Sequence, residues 1–265
     1  MSRAPGRGIF CGRTGDLTKQ HVFPNRIRRL VPRTETETVS LKTDNFFSRT
    51  KGDAVRGRNL DRRNGATAAT KLRIVCRKCN AGWMRALEEA AFLSAEDLIL
   101  GKPIVLSPAQ QAAIARLGVN IAMVAAMLAR EQKRYTPEER RQFMETGNPP
   151  KDFYVFLAYN GSDKREPFFS HLSDYIVNLD GSIGDRKYIT FTVIIGCLAI
   201  QVFVAGVGNT FQENADGYGG AFGAARIWPP RAFALDLARL PILDKEGIRK
   251  LFSSISKSEP GKLVA

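Results

Sequence analysis

The sequence of 265 residues contains few histidines and few cysteines, with His21 and His171 as the two histidines and four cysteines in all. Four cysteines in a chain of this length are too few for a disulfide scaffold. The longest apolar run, residues 188–208, contains polar side chains and a central glycine, so we interpret it as a buried strand pair or one long bent strand and not as a membrane span. The first residues lack the pattern of a secretion signal, and we expect a cytoplasmic location.

Basic residues are concentrated in the first third of the chain. Residues 1–80 carry 19 Lys and Arg against 6 Asp and Glu, whereas residues 81–265 carry 21 against 20. A charge excess confined to one region is typical of polyanion binding, with nucleic acid as the first candidate partner and an anionic membrane as the second. No basic amphipathic helix supports the membrane, so we expect no membrane partner. A solvated basic surface without a partner is the alternative.

Hydrophobic periodicity predicts an α+β fold. Residues 1–30 fit a β-hairpin, and residues 31–70, which have few large apolar side chains, predict a long basic surface loop. A strand and a helix follow, and then come two helices that begin with Ser-Pro and Thr-Pro. After residue 150 the apolar period changes from about 3.6 to about 2 residues, which predicts an antiparallel sheet before a closing helix. We divide the chain into an N-terminal domain, 1–100, and an accessory α+β domain, 101–265.

Three cysteines have spacings close to those of metal ligands. Cys76 and Cys79 form a Cys-x-x-Cys pair, whereas the other half of the site offers Cys11, with Gly8 three residues before it. Tetrahedral zinc takes four nitrogen or sulfur ligands. A structural zinc ion held by these three cysteines would therefore need water or another group as its fourth ligand. Three buried thiols without a metal are the alternative.

A histidine that closes a hairpin is followed, about fifty-five residues later, by Cys-x-x-Cys-Asn and a helix. This order of motifs resembles the HNH endonuclease family, whose fold is the ββα-metal finger. The resemblance implies an N-terminal finger of this type, with the long basic loop inserted in it. The motifs that carry the resemblance are FCG (10–12), HVFP (21–24), CRKCN (76–80) and GWMRALEE (82–89).

The resemblance implies a role for each matching residue. His21 would be the general base, Asn80 would fix the geometry of the site, and Glu88 would bind the catalytic divalent ion. Glu89 is the neighbouring candidate for the role of Glu88. Gln20 takes the position at which the family usually has an acidic metal ligand. The resemblance therefore predicts a divalent-metal-dependent endonuclease that hydrolyses the phosphodiester bonds of DNA.

These residue types suit phosphodiester hydrolysis. An imidazole with an ordinary pKa near 6.5 accepts a proton from water at neutral pH. Mg²⁺ or Mn²⁺ prefers oxygen ligands, so the carboxylate of Glu88 is a suitable one. The amide of Gln20 is neutral and is a weaker ligand than a carboxylate. A catalytically inactive HNH-fold protein that binds nucleic acid is therefore the alternative.

Basic side chains near these motifs are candidate phosphate contacts to double-stranded DNA. Such contacts position a duplex without reading its sequence, and they weaken as salt is added. The accessory domain is interpreted as a scaffold for the finger, with a homodimer interface or a ligand sensor as alternatives. The candidate nucleic-acid-binding residues are Arg26, Arg28, Arg29, Arg33, Lys51, Arg56, Arg58, Arg62 and Arg63.

Overall fold

A computed structural model describes residues 6–31, 38–44, 58–64, 70–128, 134–161, 168–177, 183–206 and 211–253. The described part of the chain is a mixture of helices and sheets, which confirms the predicted α+β class. The strands are β1 (Leu17–His21), β2 (Thr38–Asp44), β3 (Arg58–Asn64), β4 (Lys71–Cys76), β5 (Val105–Leu106), β6 (Phe153–Asn160), β7 (Phe168–Val177), β8 (Ile183–Ile195), β9 (Leu198–Ala205), β10 (Ala225–Trp228), β11 (Leu235–Asp236) and β12 (Ile242–Leu243). The helices are α1 (Asn25–Leu30), α2 (Arg77–Cys79), α3 (Arg85–Ile99), α4 (Pro108–Ala125), α5 (Pro137–Thr146), α6 (Phe211–Ala221) and α7 (Lys245–Ser253).

The largest sheet has the strand order β10-β6-β9-β8-β7-β2-β3, and β12 pairs with β6 in parallel. Its central pairs, β6–β9, β9–β8 and β8–β7, are antiparallel, as the sequence predicts beyond residue 150. Every residue of β6 and β9 is buried. A strand is buried along its whole length when both faces of its sheet are covered.

Helices cover the two faces of this sheet. On one face Gly118 of α4 approaches β9 so closely that an added Cβ would lie 2.8 Å from the side chain of Ile200. On the other face Phe156 and Phe203 pack against Tyr218 of α6, with ring centroids 5.1 and 5.8 Å from that of Tyr218. Leu251 of α7 joins the same cluster. The centre of the protein is therefore a sheet between two helical layers.

The caps predicted for α4 and α5 are confirmed. Ser107 accepts a hydrogen bond from the backbone N–H of Gln110, and the side chain of Gln110 accepts one from the backbone N–H of Ser107. Thr136 and Glu139 make the same reciprocal pair at α5. Gly147 ends α5 in the left-handed region, with φ of 66°. Reciprocal caps of this kind satisfy the free N–H groups at the start of a helix.

The described part of the apolar run, 188–206, forms the strand pair β8 and β9, which confirms the first of the two interpretations. Gly196 makes the turn between the strands with φ of 59°, a conformation that side chains with a Cβ rarely adopt. An added Cβ would also press against the carbonyl oxygen of Ile99. Among the described residues, no helix has both the length and the apolar character needed to cross a membrane.

The strand β1 pairs with β4, from Leu17 opposite Cys76 to His21 opposite Lys71. The predicted hairpin within residues 1–30 is therefore wrong for β1, whose partner comes about fifty residues later in the chain. Residues 8–13 instead form a tight turn, in which the N–H of Gly8 donates to the carbonyl of Arg13 at 3.0 Å. Strand partners depend on long-range packing, which the short apolar pattern of residues 8–23 does not specify.

The structure also differs from the predicted loop over 31–70. There β2 and β3 pair in antiparallel, and Asp44 of β2 lies opposite Leu172 of β7. Backbone pairing to a sheet edge supplies hydrogen bonds without large apolar side chains, which is why composition does not reveal these strands. The remainder of the predicted loop, 32–37, 45–57 and 65–69, lies outside the described residues.

The N-terminal region that contains β1, β4 and α3 shares its hydrophobic core with the rest of the protein. The ring of Trp83 makes edge contacts with Phe10 and with Phe143 of α5, at centroid distances of 5.0 and 5.6 Å. All three residues belong to, or pack against, one hydrophobic cluster that extends from Phe10 to Leu237. The first strands and α3 are therefore braced by the C-terminal region. The division into domains at residue 100 stays a prediction.

Candidate functional site

The three cysteines that the sequence singles out lie together. The Sγ atoms of Cys11 and Cys76 are 3.6 Å apart, and the Sγ atoms of Cys11, Cys76 and Cys79 all lie within 4.8 Å of one another. The turn at residues 8–13 brings Cys11 to the end of β4, where Cys76 caps α2 by accepting from the N–H of Cys79 at 3.4 Å. This cysteine cluster could hold a metal ion, so the grouping inferred from spacing is confirmed.

The thiols of this cluster differ in acidity. Burial raises the pKa of Cys76, but hydrogen bonds led by the backbone N–H of Cys79 outweigh that effect, so its pKa is below the ordinary value. Burial raises the pKa of Cys79 to about 12, and the hydrogen bond with Cys76 adds to that shift. Cys79 therefore stays protonated unless a cation compensates its charge. Metal binding would supply that positive charge and release the proton.

The three thiolates fit zinc as a partial tetrahedral set. At the position of Gly8, an added Cβ would lie 3.0 Å from Cys11 Sγ and 3.6 Å from the backbone nitrogen of Cys76. A fourth cysteine at this position would therefore face the cluster. A further sulfur atom lies near the cluster, because Met144 Sδ of α5 is 3.8 Å from Cys79 Sγ. The thioether of Met144 is a soft donor atom of the type that suits thiophilic metal ions.

Gln20 and Glu88 form the second part of the site. Gln20, on β1, is only 6% exposed, and its side chain lies close enough to Glu88 on α3 to lower the pKa of that carboxyl. Burial raises the pKa of Glu88 to about 7, the side chain of Gln20 lowers it, and the charge of Glu89 raises it. The structure thus joins two of the three residues assigned to the catalytic ion. Within the described ranges, the cysteines are the one cluster of three or more His, Cys, Asp or Glu able to hold a metal ion.

Glu89, the other candidate on α3, has a different environment. It is exposed, and its Oε1 accepts a hydrogen bond of 2.8 Å from Arg85 Nε, one turn earlier on the helix. The hydrogen bond and the charge of Arg85 lower the pKa of Glu89. Of the two glutamates, Glu88 is therefore the one that meets Gln20.

Asn80 connects the helical turn that begins with it to the strands β1 and β4. Its Nδ2 donates to Thr18 Oγ1 at 2.9 Å, and the Thr18 hydroxyl donates to the carbonyl of Val75 at 3.0 Å. The π-helical turn Asn80–Met84 that follows leads directly into α3. Asn80 therefore fixes the helix relative to β1 and β4, and its role at a catalytic site stays a prediction of the resemblance.

His21 ends β1 and lies next to an arginine. Arg28 Nη1 is 3.1 Å from Nδ1 and 3.2 Å from Nε2 of the imidazole, and it donates to Asn25 Oδ1 at 2.9 Å. Burial, followed by the positive charges of Arg28 and Lys71, lowers the pKa of His21 to about 4. The imidazole is therefore neutral at physiological pH, which is the form that accepts a proton.

Three of the candidate phosphate contacts lie on α1, which packs on α3 and buries Ile27. Arg26 and Arg29 are exposed, and the guanidinium of Arg26 lies over the ring of Phe92, 5.0 Å from its centroid. Arg58, Arg62 and Arg63 belong to β3, but their side chains are outside the described part of the structure, and Arg33, Lys51 and Arg56 lie outside it altogether.

Some contacts of the site have no signal in the sequence. Met144 is 65 residues from Cys79, and no spacing rule connects the two. The indole nitrogen of Trp83 is buried and meets no acceptor at hydrogen-bond geometry, yet it lies close enough to Cys79 to lower the pKa of that thiol. Lys71 adds a positive charge near His21 from β4. Tertiary packing, and not local pattern, brings these residues to the site.

Comparison with known proteins gives no match: no protein-family model matches the chain, no curated protein matches its sequence, and no solved structure matches its fold.

Proposed function

We propose that the protein is an HNH-type nuclease that hydrolyses DNA phosphodiester bonds with the help of Mg²⁺ or Mn²⁺. The observation that carries the proposal is the proximity of Glu88 on α3 to Gln20, the residue that directly precedes His21. The hydrogen bond from Asn80 to Thr18 supports it, because it ties α3 to the strand that carries Gln20 and His21.

In this proposal the neutral imidazole of His21 accepts a proton from the water that attacks phosphorus. The side-chain oxygens of Gln20 and Glu88 would hold the divalent ion, which supplies positive charge to the phosphate and to the leaving 3′ oxygen. Glu88 must lose its proton to act as a ligand, because a protonated carboxyl is a poor donor to a hard cation. Asn80 keeps the two ligands on facing elements.

A structural zinc ion at Cys11, Cys76 and Cys79 is part of the proposal. Its role would be to join the turn at residues 8–13 to the end of β4 and to α2, in addition to the packing of Phe10 in the core. A cytoplasmic location suits three thiols kept in the reduced state. Double-stranded DNA is the proposed partner, and a homodimer through 101–265 is proposed as an additional assembly.

A plasmid-nicking assay with Mg²⁺ or Mn²⁺ tests the nuclease proposal. We expect the wild type to convert supercoiled plasmid to the nicked form, and we expect His21→Ala to abolish this while leaving the thermal unfolding midpoint close to that of the wild type. His21 is half-buried at the end of a strand, so a melting curve of each variant is needed as the control for folding. Cleavage by His21→Ala at the wild-type rate would remove His21 as the base.

The second candidate function is nucleic-acid binding without catalysis. The neutral amide of Gln20, in place of a carboxylate, favours it, because metal affinity falls when ligand charge is lost. In this case the protein binds duplex DNA in a salt-sensitive manner and does not cleave it. Replacing Arg29 by Gln should reduce the slope of log K against log salt by about 1. Arg239→Gln, at an exposed arginine paired with Asp236, is the matched control and should leave the slope unchanged.

A further inference from the structure

Met144 of α5 brings a fourth sulfur atom to the cysteine cluster. The Cys79 thiol donates to Met144 Sδ, and the two sulfur atoms are 3.8 Å apart. The Sγ atoms of Cys11 and Cys76 are 3.6 Å apart. Tetrahedral coordination with metal–sulfur bonds of about 2.3 Å places neighbouring ligand sulfurs about 3.8 Å apart. The two pairs, which share no atom, therefore have the spacing of two opposite edges of a tetrahedral site with four sulfur ligands.

We propose that Met144 is the fourth ligand of the metal ion in the cysteine cluster, so that three thiolates and one thioether form a site for soft, thiophilic ions. The inference rests on the proposed zinc site and is independent of the nuclease proposal. The cysteines lie in the turn at residues 8–13, at the end of β4 and in α2, whereas Met144 lies on α5. The bound ion therefore also joins α5 to the N-terminal region.

The contact between Cys79 and Met144 directs a lone pair of the thioether at the position that the ion takes. The S–H of Cys79 points at Met144 Sδ, whose lone pairs are its acceptor sites. A metal ion that binds Cys79 replaces this proton, which passes to the solvent. The lone pair that accepted the hydrogen bond then lies beside the ion. Methionine is unbranched and has three rotatable bonds, so a small adjustment completes the coordination.

The described residues offer the ion no fourth ligand from the usual set. Within these ranges the cluster of His, Cys, Asp or Glu donors contains the three cysteines and no further member. Gly8, at which an added Cβ would lie 3.0 Å from Cys11 Sγ, has no side chain to contribute. Water and the thioether of Met144 are therefore the two candidates for the fourth position. The thioether is the softer donor, and softness is what thiophilic ions select.

The packing of α5 holds Met144 at the cluster. Phe143, its neighbour in the chain, is fully buried, and its ring makes an edge contact with Trp83 at a centroid distance of 5.6 Å. Trp83 belongs to the π-helical turn that directly follows Cys79. The side chain of Met144 is half-buried and packs against the hydrophobic core. The helix that carries Met144 is thus anchored to the segment that carries one of the cysteines.

Cadmium NMR tests the coordination directly. The full chain, labelled with ¹³C in its methionine methyl groups, is loaded with one equivalent of ¹¹³Cd²⁺, a soft ion that takes the place of zinc. A thioether bonded to ¹¹³Cd transmits a scalar coupling to the protons of its methyl group, three bonds away. The chain contains five methionines. We expect one methyl signal to show this coupling, and we expect that signal to be absent from Met144→Leu.

Affinities for two ions separate a ligand from a packing contact. Met144→Leu keeps the size and apolar character of the side chain but removes its sulfur atom. We expect the variant to bind Cd²⁺ at least about tenfold more weakly and Zn²⁺ less affected, because the thioether prefers the softer ion. A packing defect would lower both affinities by the same factor. Met123→Leu, at a buried methionine of α4, is the matched control and should leave both affinities unchanged.

Two results overturn the proposal and keep the three-cysteine site. One is bound ¹¹³Cd²⁺ without coupling to any methionine methyl group, and the other is a ratio of Cd²⁺ to Zn²⁺ affinity that is the same in Met144→Leu as in the wild type. Failure of the wild type to bind either ion removes the zinc site and this inference together. The nuclease proposal is decided separately, by the plasmid-nicking assay.

Discussion

Gln20 on β1 lies close enough to the half-buried Glu88 on α3 to lower the pKa of its carboxyl, and this pair determines how the site responds to protons and to metal. Without a cation the buried carboxyl of Glu88 holds a proton up to about pH 7, because an isolated charge there would be poorly solvated. A divalent ion would replace that proton. The pair is therefore either a neutral contact or a pair of metal ligands.

Glu88 makes the stability of the metal-free site depend on pH. Its pKa is raised from 4.5 to about 7, so between these values the folded chain holds a proton that the unfolded chain has lost. This contribution to stability is complete below pH 4.5 and is lost as the pH rises through 7. We expect the free energy of unfolding of the wild type, minus that of Glu88→Gln, to fall over this interval in urea titrations without Mg²⁺ or Mn²⁺. A difference that is flat with pH would contradict the burial of the carboxyl.

His21 makes the free energy of unfolding depend on pH in the opposite direction, over an overlapping pH interval. Its pKa is lowered from 6.5 to about 4, so here the unfolded chain is the one that binds the extra proton. Stability from this group is present above pH 6.5 and is lost as the pH falls towards 4. The wild-type curve therefore combines two opposing slopes. His21→Gln should change the pH dependence in the direction opposite to Glu88→Gln, and the two variants serve as controls for each other.

The cysteine cluster should bind zinc, and a fourth thiol should strengthen the binding. Gly8→Cys would place its Cβ 3.0 Å from Cys11 Sγ, so a small adjustment brings a fourth thiolate to the cluster. We expect the affinity for zinc to rise by at least about tenfold. Loss of a residue that only hydrogen-bonds a metal ligand already lowers metal affinity by about tenfold, and a direct ligand should matter at least as much. Competition with a chromophoric chelator measures it. Gly217→Cys, an exposed position with no neighbour within 4 Å of an added Cβ, is the control. An unchanged affinity in Gly8→Cys would show that Gly8 does not face the metal.

Asn80 should contribute to stability through Thr18. Asn80→Ala removes a hydrogen bond of 2.9 Å between half-buried side chains, at an expected cost of about 1 kcal/mol in the free energy of unfolding. Asn148→Ala, which removes a bond of 2.7 Å to Arg116 at an exposed position, should cost less. Urea unfolding of Asn80→Ala, Thr18→Val and the double variant gives the coupling between the two residues. A coupling of zero would mean that Asn80 does not tie the helix to β1.

The local sequence pattern predicted those helices and turns whose start and end depend on neighbouring residues. The Ser-Pro and Thr-Pro starts of α4 and α5 are confirmed because capping is decided within four residues. Gly196 likewise marks the turn of the β8–β9 pair. The cysteine cluster follows from the spacing of Cys76 and Cys79 together with the turn at Cys11.

Contacts between distant parts of the chain could not be predicted in this way. The pairing of β1 with β4 and of β2 with β7 depends on packing across long connections, and a short strand is compatible with several partners. The contact of Met144 with Cys79 comes from a helix assigned to the other domain. Arg28 was singled out for its charge, but its place beside His21 depends on how α1 turns back after Pro24.

Binding of Mn²⁺, followed by electron paramagnetic resonance of the free ion, tests the central claim most directly. With zinc in the cysteine cluster, the wild type should bind one Mn²⁺ per chain, and Gln20→Asp should bind it more tightly because a carboxylate replaces an amide. Glu88→Gln should lose this binding, while Glu145→Gln, at an exposed glutamate on α5, should keep it. Binding of Mn²⁺ by Glu88→Gln with the affinity of the wild type would contradict a catalytic ion at Gln20 and Glu88.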